Sequence, residues 1–568
     1  MISWLTWFSM GIVFLFTIWI IQHYASKSTS IFVYIFVFLG YFLAFVLVVL
    51  LPYDIYLSIE DNLPNIKDLR FVLSIIWRVI YWTVFVLCWV ILPIIQEYEM
   101  AGDFIWSSRL KSALFRHLRG FLITGVIGIA CLGYLFYKGK LTIINTPVFL
   151  VVLSNCWGLL LIIVLLGYGI IEIPRQFWKA GNNSTRLCDL YIKTSFMSED
   201  MVETKFALDE IVKLVNAASF LLPKNSELQE NMNFILSLVP IEMIEHQRAM
   251  QTQLSKDAAN QLGKITLERL VSLHKDLKDT LSEYQRSKYR WDSLIEKAID
   301  LEDIITASDS PFKRIVYSFK ESKSGCLARL REINEWYWLT RIKPCLFRTL
   351  GLLFIIMSIL VILGEATLFL EFPIGVFPLM FRESYGDYGT QFLCMIPLSY
   401  IILCTFFGIF NLKLSGWYGL YPNNHTDPSN LVWSAFFMAR LSAPLCYNFF
   451  LFIKVKNTVY SEEMEIIDLV PVVGGSFATF FPLLLVIFAL LNIFHAYGRF
   501  MSAIGMTKLS FSDKYTSDKI GDGKLIVQRA RTEREKKLAA YDRRGTIEMG
   551  KTGNQDVRSE FQFKRSII

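Results

Sequence analysis

Long apolar runs alternate with polar stretches along this chain, and the lengths of the runs set the first expectation. A helix needs about 20 mainly apolar residues to cross the hydrocarbon core of a bilayer. Nine runs meet that requirement: 2–22, 31–56, 71–95, 119–137, 147–173, 347–371, 390–411, 430–453 and 474–499. The fourth is the shortest, and a re-entrant segment there would reduce the count to eight. Met1 to Met10 carries no basic residue and Gln22-His-Tyr24 is a poor cleavage site. The first run is therefore expected to stay as a helix rather than leave as a signal peptide.

Two polar stretches interrupt this pattern. Residues 174–346 hold 25 Lys/Arg and 24 Asp/Glu, an ordinary soluble composition. Leu270, Leu277, Tyr284, Trp291 and Ala298 recur seven apart there, with Leu273, Leu294 and Leu301 beside them. That period predicts a coiled coil or helical hairpin. Polar Thr280 and Ser287 interrupt the second seam, which favours packing against a neighbouring helix over a free dimeric coil. Pro223-Lys-Asn-Ser226 and Asp309-Ser-Pro311 mark helix boundaries. The second stretch, 499–568, holds 16 Lys/Arg against 9 Asp/Glu, and its densest part is RARTEREKKLAAYDRR at Arg529–Arg544. A solvated tail that fixes topology is the preferred reading. Attraction to anionic inner-leaflet lipid, at about 1 kcal/mol per basic residue, is the other. The tail is expected to be largely disordered past Gly545, and without an aromatic-interleaved basic fold it does not suggest nucleic-acid binding.

Composition agrees with the pattern. Of 568 residues 54% are apolar and only 19% charged, and the mean hydropathy is +0.42. A string of soluble domains needs roughly a quarter of its residues charged. The expected fold is thus an all-α, polytopic integral membrane protein of about nine transmembrane helices with a cytoplasmic helical insertion. Four regions follow: a five-span half (1–173), the helical loop (174–346), a four-span half (347–499) and a basic tail (500–568). Nine dispersed cysteines with no CxxC, and six scattered histidines, suggest neither a disulfide framework nor a zinc site.

Basic residues in the flanks orient the spans. With the N-terminus outside, inner loops collect Lys27, Arg109, Lys111, Arg116, Arg119, Arg175, Lys179, Arg341, Lys343 and Arg348. The outer loops are poorer in basic residues, and the last of them is acidic through Glu462, Glu463, Glu465 and Asp468. The C-terminus then lies in the cytoplasm, and the plasma membrane is preferred over endolysosomal membranes.

Ionisable residues inside spans cost about 2.5–3.5 kcal/mol at mid-helix, so they are site hypotheses by default. Four stand out: Asp54, Arg78, Glu365 and Arg440. Two acids and two bases toward the outer half invite mutual pairing. They form either a network lining a cavity or ion pairs that fix packing, and Asp54 and Glu365 could instead reach the headgroups. Glu172 before Pro174 reads as an interfacial residue. Asn155, Asn448 and Asn492 read as interhelical hydrogen-bonding glue, and His495 as structural. A further candidate is the loop between the seventh and eighth spans, KLSGWYGLYPNNHTDP at 413–428. Its Trp417, Tyr418, Tyr421, His425 and Asp427, set among Gly and Pro, make a compact amphipathic surface. Capping the helix ends is preferred there to a partner site.

No catalytic constellation is visible: there is no GxSxG, HExxH or GxxxxGK[ST]. Gly521-Asp-Gly-Lys524 lacks the leading glycine and strand of a phosphate loop. The chain is expected to be no enzyme and to need no cofactor. Asn182, Asn183 and Asn424 open N-x-[ST] triplets in loops expected to be cytoplasmic and therefore unmodified.

The segment Ile396–Phe449 (IPLSYIILCTFFGIFNLKLSGWYGLYPNNHTDPSNLVWSAFFMARLSAPLCYNF) resembles the core of the limb region membrane protein family. LPYDI at 51–55, GEATLF at 364–369, WYWLTRIKP at 336–344 and TSDKIGDGKLI at 516–526 add to it. The resemblance implies nine spans, an outer N-terminus and a long inner loop. It also implies receptor, endocytic-adaptor or regulatory roles, including influence on signalling by G-protein-coupled receptors, with no catalytic residues to carry over. Two classes stay open. One is a receptor or scaffold whose 174–346 loop binds membrane or cytoplasmic proteins. The other is a transporter, channel or transport escort using the four buried charges. No duplicated pair of broken helices is visible, which favours the first.

Overall fold

The structure is a computed structural model of the chain. It describes residues 4–59, 66–139, 141–142, 146–223, 226–240, 243, 265–320, 328–367, 376–380, 386–411, 419–453, 455, 458–464, 474–494 and 517–552. Trp417, Tyr418, Glu465, Asp468 and His495, and the side chain of Asn155, lie outside that set.

Helices follow the apolar runs but outlast them. In order they are α1 (Trp4–Tyr24), α2 (Ile31–Ile59), α3 (Ile66–Met100), α4 (Trp106–Tyr137) and α5 (Thr146–Ala180). Next come α6 (Asn183–Leu221), α7 (Gln229–Leu238), α8 (Leu267–Ala307) and α9 (Ala328–Ala366). The series continues with α10 (Val376–Met380), α11 (Gly386–Asn411), α12 (Pro428–Ile453), α13 (Val459–Met464), α14 (Gly474–Ile493) and α15 (Ser517–Thr552).

Among the described residues, seven helices are long and apolar enough to cross a membrane: α1 to α5, α9 and α11. The eighth and ninth expected spans fall on α12 and α14, of 26 and 20 residues. Asn430, Ser434, Arg440, Ser442 and Asn448 dilute the apolar run of α12. The fourth expected span is embedded in a helix of 32 residues that starts at Trp106. Its basic first turns fit a helix because Arg116 reaches Glu97 (3.5 Å) and Ser108 reaches Asp103 (2.8 Å).

Two prolines shape the long helices. A proline ring clashes with the carbonyl four residues back, and before Pro93 and Pro344 the helix opens into a single wider turn, Leu87–Ile91 and Trp338–Ile342. The amides of Leu92 and Lys343 reach the carbonyls of Leu87 and Trp338, five residues back.

The chain divides into two units. Unit 1 comprises Met1–Pro174, Glu210–Ser282 and Leu353–Ser512. Its centre is α2, buried along most of its length and packed on α1, α11 and α12. Close approach is set by small residues: a Cβ on Gly169 of α5 would meet the Cys404 carbonyl at 2.0 Å, and one on Gly408 of α11 the Leu165 carbonyl at 2.6 Å. Ser358 of α9 joins this pair, donating to the Ile170 carbonyl (2.6 Å) and lying 2.6 Å from the Tyr400 hydroxyl. At the rim α4 buries only Ala113 and leaves Phe115, Leu122, Val126 and Ile129 uncovered, a surface suited to lipid.

Unit 2 comprises Arg175–Asp209, Glu283–Leu352 and Asp513–Ile568. Here α6 and α8 run antiparallel, since Tyr191 meets Glu302 (2.6 Å) and Asp200 meets Ser287 (3.0 Å). The polar interruption at Ser287 is thus answered by an acceptor on the neighbouring helix. The tail contributes α15, which packs on this pair before Gly545 and runs on to Thr552. Its Val527 is buried with Leu190, Tyr191, Ile295, Ala298 and Leu301. Arg531 binds Glu302 (3.1 Å) and Asp303 (3.0 Å). Burial, reinforced by the bond to Glu302, pushes the Tyr191 phenol well above its ordinary range. The Gly-Asp-Gly sequence has a packing reason: a Cβ on Gly523 would sit 1.9 Å from the Tyr191 carbonyl.

Gly523→Val should therefore release the tail helix, because the clash is with backbone and overpacking costs about 1–3 kcal/mol. Limited proteolysis of the full chain should cut within Arg529–Arg544 several-fold faster in this variant than in Gly521→Val, where a Cβ meets nothing within 4 Å.

Candidate functional site

At one end of the unit 1 bundle the last residues of α2 meet the first turns of α3 and the short helix α13. Asp54 is completely buried there. Its carboxylate accepts from the Trp77 indole (3.0 Å), the Val459 amide (2.9 Å) and the Tyr460 amide (2.8 Å). Those two amides open α13, so Asp54 caps that helix from a distant part of the chain. Thr458 supplies the local cap, accepting from the Ser461 amide at 3.1 Å.

The same short helix is gripped from α3. Arg78 binds Glu463 through two nitrogens (2.7 and 2.9 Å), Ser74 donates to Glu463 (2.5 Å), and Arg70 pairs with Glu462 (2.5 Å). The Arg78 bonds hold the Glu463 carboxyl below its usual range.

Glu365, near the end of α9, is buried and accepts from the Asn448 amide of α12 at 3.0 Å. Among the described residues, the remaining oxygens of that pair, Glu365 Oε2 and Asn448 Oδ1, face no donor. Arg440 of α12 lies elsewhere, its guanidinium 4.7 Å from the Trp89 ring in the wide turn of α3. The Trp89 carbonyl, freed by Pro93, accepts from His117 Nε2 (3.2 Å). Arg440, Tyr81, Cys88, Ser442 and Tyr460 line a narrow cleft of about 50 Å³.

The four intramembrane candidates therefore do not form one network. Asp54 and Arg78 converge on α13 rather than on each other, Glu365 joins Asn448, and Arg440 joins Trp89. The reason is geometric: α13 folds back with two carboxylates and two free amides, which match Arg70, Arg78 and Asp54 better than the four would match one another. Sequence reading missed Trp77, Thr458, Glu462 and Glu463 as partners. The signal was present in the acidic run placed on the same side as Arg70 and Arg78.

At the opposite end of this unit, the loop 419–427 closes the C-terminus of α1. Asn424 and Thr426 adopt the roles of a short paired strand: their amides donate to the His23 and Tyr24 carbonyls (3.0 Å each), and the Ser26 amide donates to Thr426 O (3.0 Å). Asn424 Nδ2 reaches the Gln22 (2.8 Å) and Ala25 (3.0 Å) carbonyls. Asn423 and Asn424 take positive φ, 58° and 63°, which asparagine tolerates. The Tyr421 amide is held by Thr426 (2.8 Å), His425 Nδ1 meets the Asn423 carbonyl (2.6 Å), and Asp427 accepts from Asn430 (2.6 Å). Asn424 and Thr426 thus satisfy carbonyls at the end of α1, whereas Tyr421, His425 and Asp427 bond within the loop and to Asn430 at the start of α12.

The start of α8 closes the same end. His274 is buried, stacks on Phe104 (5.1 Å) and bonds the Gly102 carbonyl (2.6 Å). Burial lowers its affinity for a proton, leaving a neutral ring that donates through Nδ1. Lys278 binds the Glu99 carbonyl. Among the described residues no three His, Cys, Asp or Glu side chains are placed to hold a metal ion.

Lipid-suited helices, charges held by groups of the protein and capped helix ends define an all-α polytopic membrane protein. The LMBR1-like membrane protein model matches residues 2–497, and the chain belongs to that family. Among its relatives is the LMBR1 domain-containing protein 2 homolog A of Dictyostelium discoideum, 29% identical over 467 residues, covering 81% of this chain and 62% of the relative. This chain thus spans about three fifths of that protein. Two more are named G-protein coupled receptor-associated protein LMBRD2. That of Caenorhabditis briggsae is 26% identical over 566 residues (91% of this chain, 86% of the relative). That of Homo sapiens is 26% identical over 497 residues (83% and 71%). No solved structure matches the chain.

Asp54→Ala would leave three buried donors without an acceptor, at about 1–3 kcal/mol each. Thermal unfolding of the purified full chain should shift down by several degrees. Asp68→Ala, at an exposed position in the first turn of α3, should leave it unchanged.

Proposed function

We propose that this protein is a multi-pass membrane scaffold that regulates receptors of the G-protein-coupled class, without itself catalysing a reaction. The names of its relatives support the receptor link. The observation that carries the scaffold reading is the use of Asp54: all three of its hydrogen bonds hold packed elements together, and none points into a path. In this reading the chain sits in the plasma membrane with its N-terminus outside. The helical region 174–346 and the C-terminus are then cytoplasmic, where α6 offers exposed Val202 and Phe206 to a partner.

A transport role draws on one observation, the two donorless oxygens of Glu365 and Asn448, which would suit a bound proton or cation. Proximity labelling from the C-terminus of the full chain in intact cells separates the readings. Receptors of this class should be enriched several-fold, and Val202→Glu with Phe206→Glu should remove the enrichment without lowering surface expression. No enrichment, together with flux in reconstituted vesicles that Glu365→Gln abolishes, would contradict the scaffold reading.

A further inference from the structure

Within unit 2 a cleft of about 240 Å³ opens where α5 ends, α6 begins and α8 and α9 pass. Arg186 of α6, Lys297 of α8 and Lys343 of α9 line it, with Asn183, Asp300 and Tyr317. Among the described residues none of the three cations has an ion-pair partner. Arg186 and Lys343 are near enough to repel each other. The acidic member of the lining is already answered, since Asp300 is bridged by Lys320 at 2.5 Å. The Tyr317 hydroxyl donates to Glu335 (2.9 Å). Like charges gathered around a cleft without counter-charge favour an anion.

The depth of the cleft indicates the source of that anion. The apolar run of α5 closes at Pro174, and Ala180 lies one to two helical turns beyond it. Lys343 lies four residues before Phe347, where the apolar run of α9 begins, and Leu346 between them is exposed. Trp178, Tyr337 and Trp338 are exposed around this level. Exposed Trp and Tyr at the end of apolar helices mark the headgroup layer of a bilayer. The first turn of α6, a helix of 39 residues, adds the partial positive charge of its amides.

We propose that this cleft binds the phosphorylated headgroup of an anionic phospholipid, held by Arg186, Lys297 and Lys343. The site differs from the basic tail, whose Arg531 is already occupied by Glu302 and Asp303. A lipid there would tie α6, α8 and α9 to one leaflet.

The test is native mass spectrometry of the purified full chain with a short-chain phosphatidylinositol bisphosphate, a short-chain phosphatidylcholine and free inositol trisphosphate. The bisphosphate lipid should bind at least tenfold more strongly than either comparison ligand. Arg186→Gln with Lys343→Gln should weaken it at least tenfold, and Lys297→Glu, at an exposed helical position that the fold tolerates, should weaken it as well. Lys536→Gln with Lys537→Gln, on the exposed face of α15, should not. The site is wrong if the cleft variants bind normally, or if the tail variant alone loses the lipid. Inositol trisphosphate binding as tightly as the lipid would overturn the membrane source. If the double cleft variant does not fold, Lys297→Glu decides.

Discussion

A charge buried among apolar helices must be answered by groups of the protein itself, and Asp54 shows how this fold meets that demand. Ionised carboxylates are costly to bury unless their oxygens collect donors. Asp54 gathers an indole and two helix-opening amides, and in doing so ties α2, α3 and α13 into one corner. The Arg78–Glu463 and Arg70–Glu462 pairs then lock the same short helix from α3. The polar groups at this end connect elements; they are not strung along a path.

The backbone obeys the same rule. Pro93 removes a donor and displaces a carbonyl, yet the Trp89 carbonyl finds His117 and the Trp89 ring receives Arg440. At the opposite end the carbonyls that close α1 are met by Asn424 and Thr426, drawn from a loop some 400 residues later. Apolar contacts then operate at short range. Gly169 and Gly408 let helices of unit 1 approach until backbone touches backbone, which is how packing substitutes for a hydrophobic drive in lipid, and Gly523 permits the same close approach of α15 in unit 2.

Much of this was legible in the sequence. The apolar runs located the helices, and the seven-residue period from Leu270 to Ala298 located a seam of which Leu270, Leu277 and Ala298 are fully buried. Helix starts were less legible. Polar first turns at Trp106 and Ala328 carry no apolar signal, and only their tertiary partners show that they are helical. Partners were least legible of all. Asp54 and Tyr460 stand 406 positions apart, and no local spacing links an acid in one span to amides in a later loop. The tail was read from its charge alone, whereas Val527 and Arg531 dock it through one apolar and one acidic contact that a charge count cannot reveal.

The account stands on Asp54 as the cap of α13. Hydrogen–deuterium exchange of the full chain in nanodiscs, read over Thr458–Met464, tests it most directly. The Val459 and Tyr460 amides should be strongly protected in the wild type. In Asp54→Asn they should exchange markedly faster, while α8 keeps its protection. Rapid exchange of both amides in the wild type, or equal protection in the variant, would contradict the account.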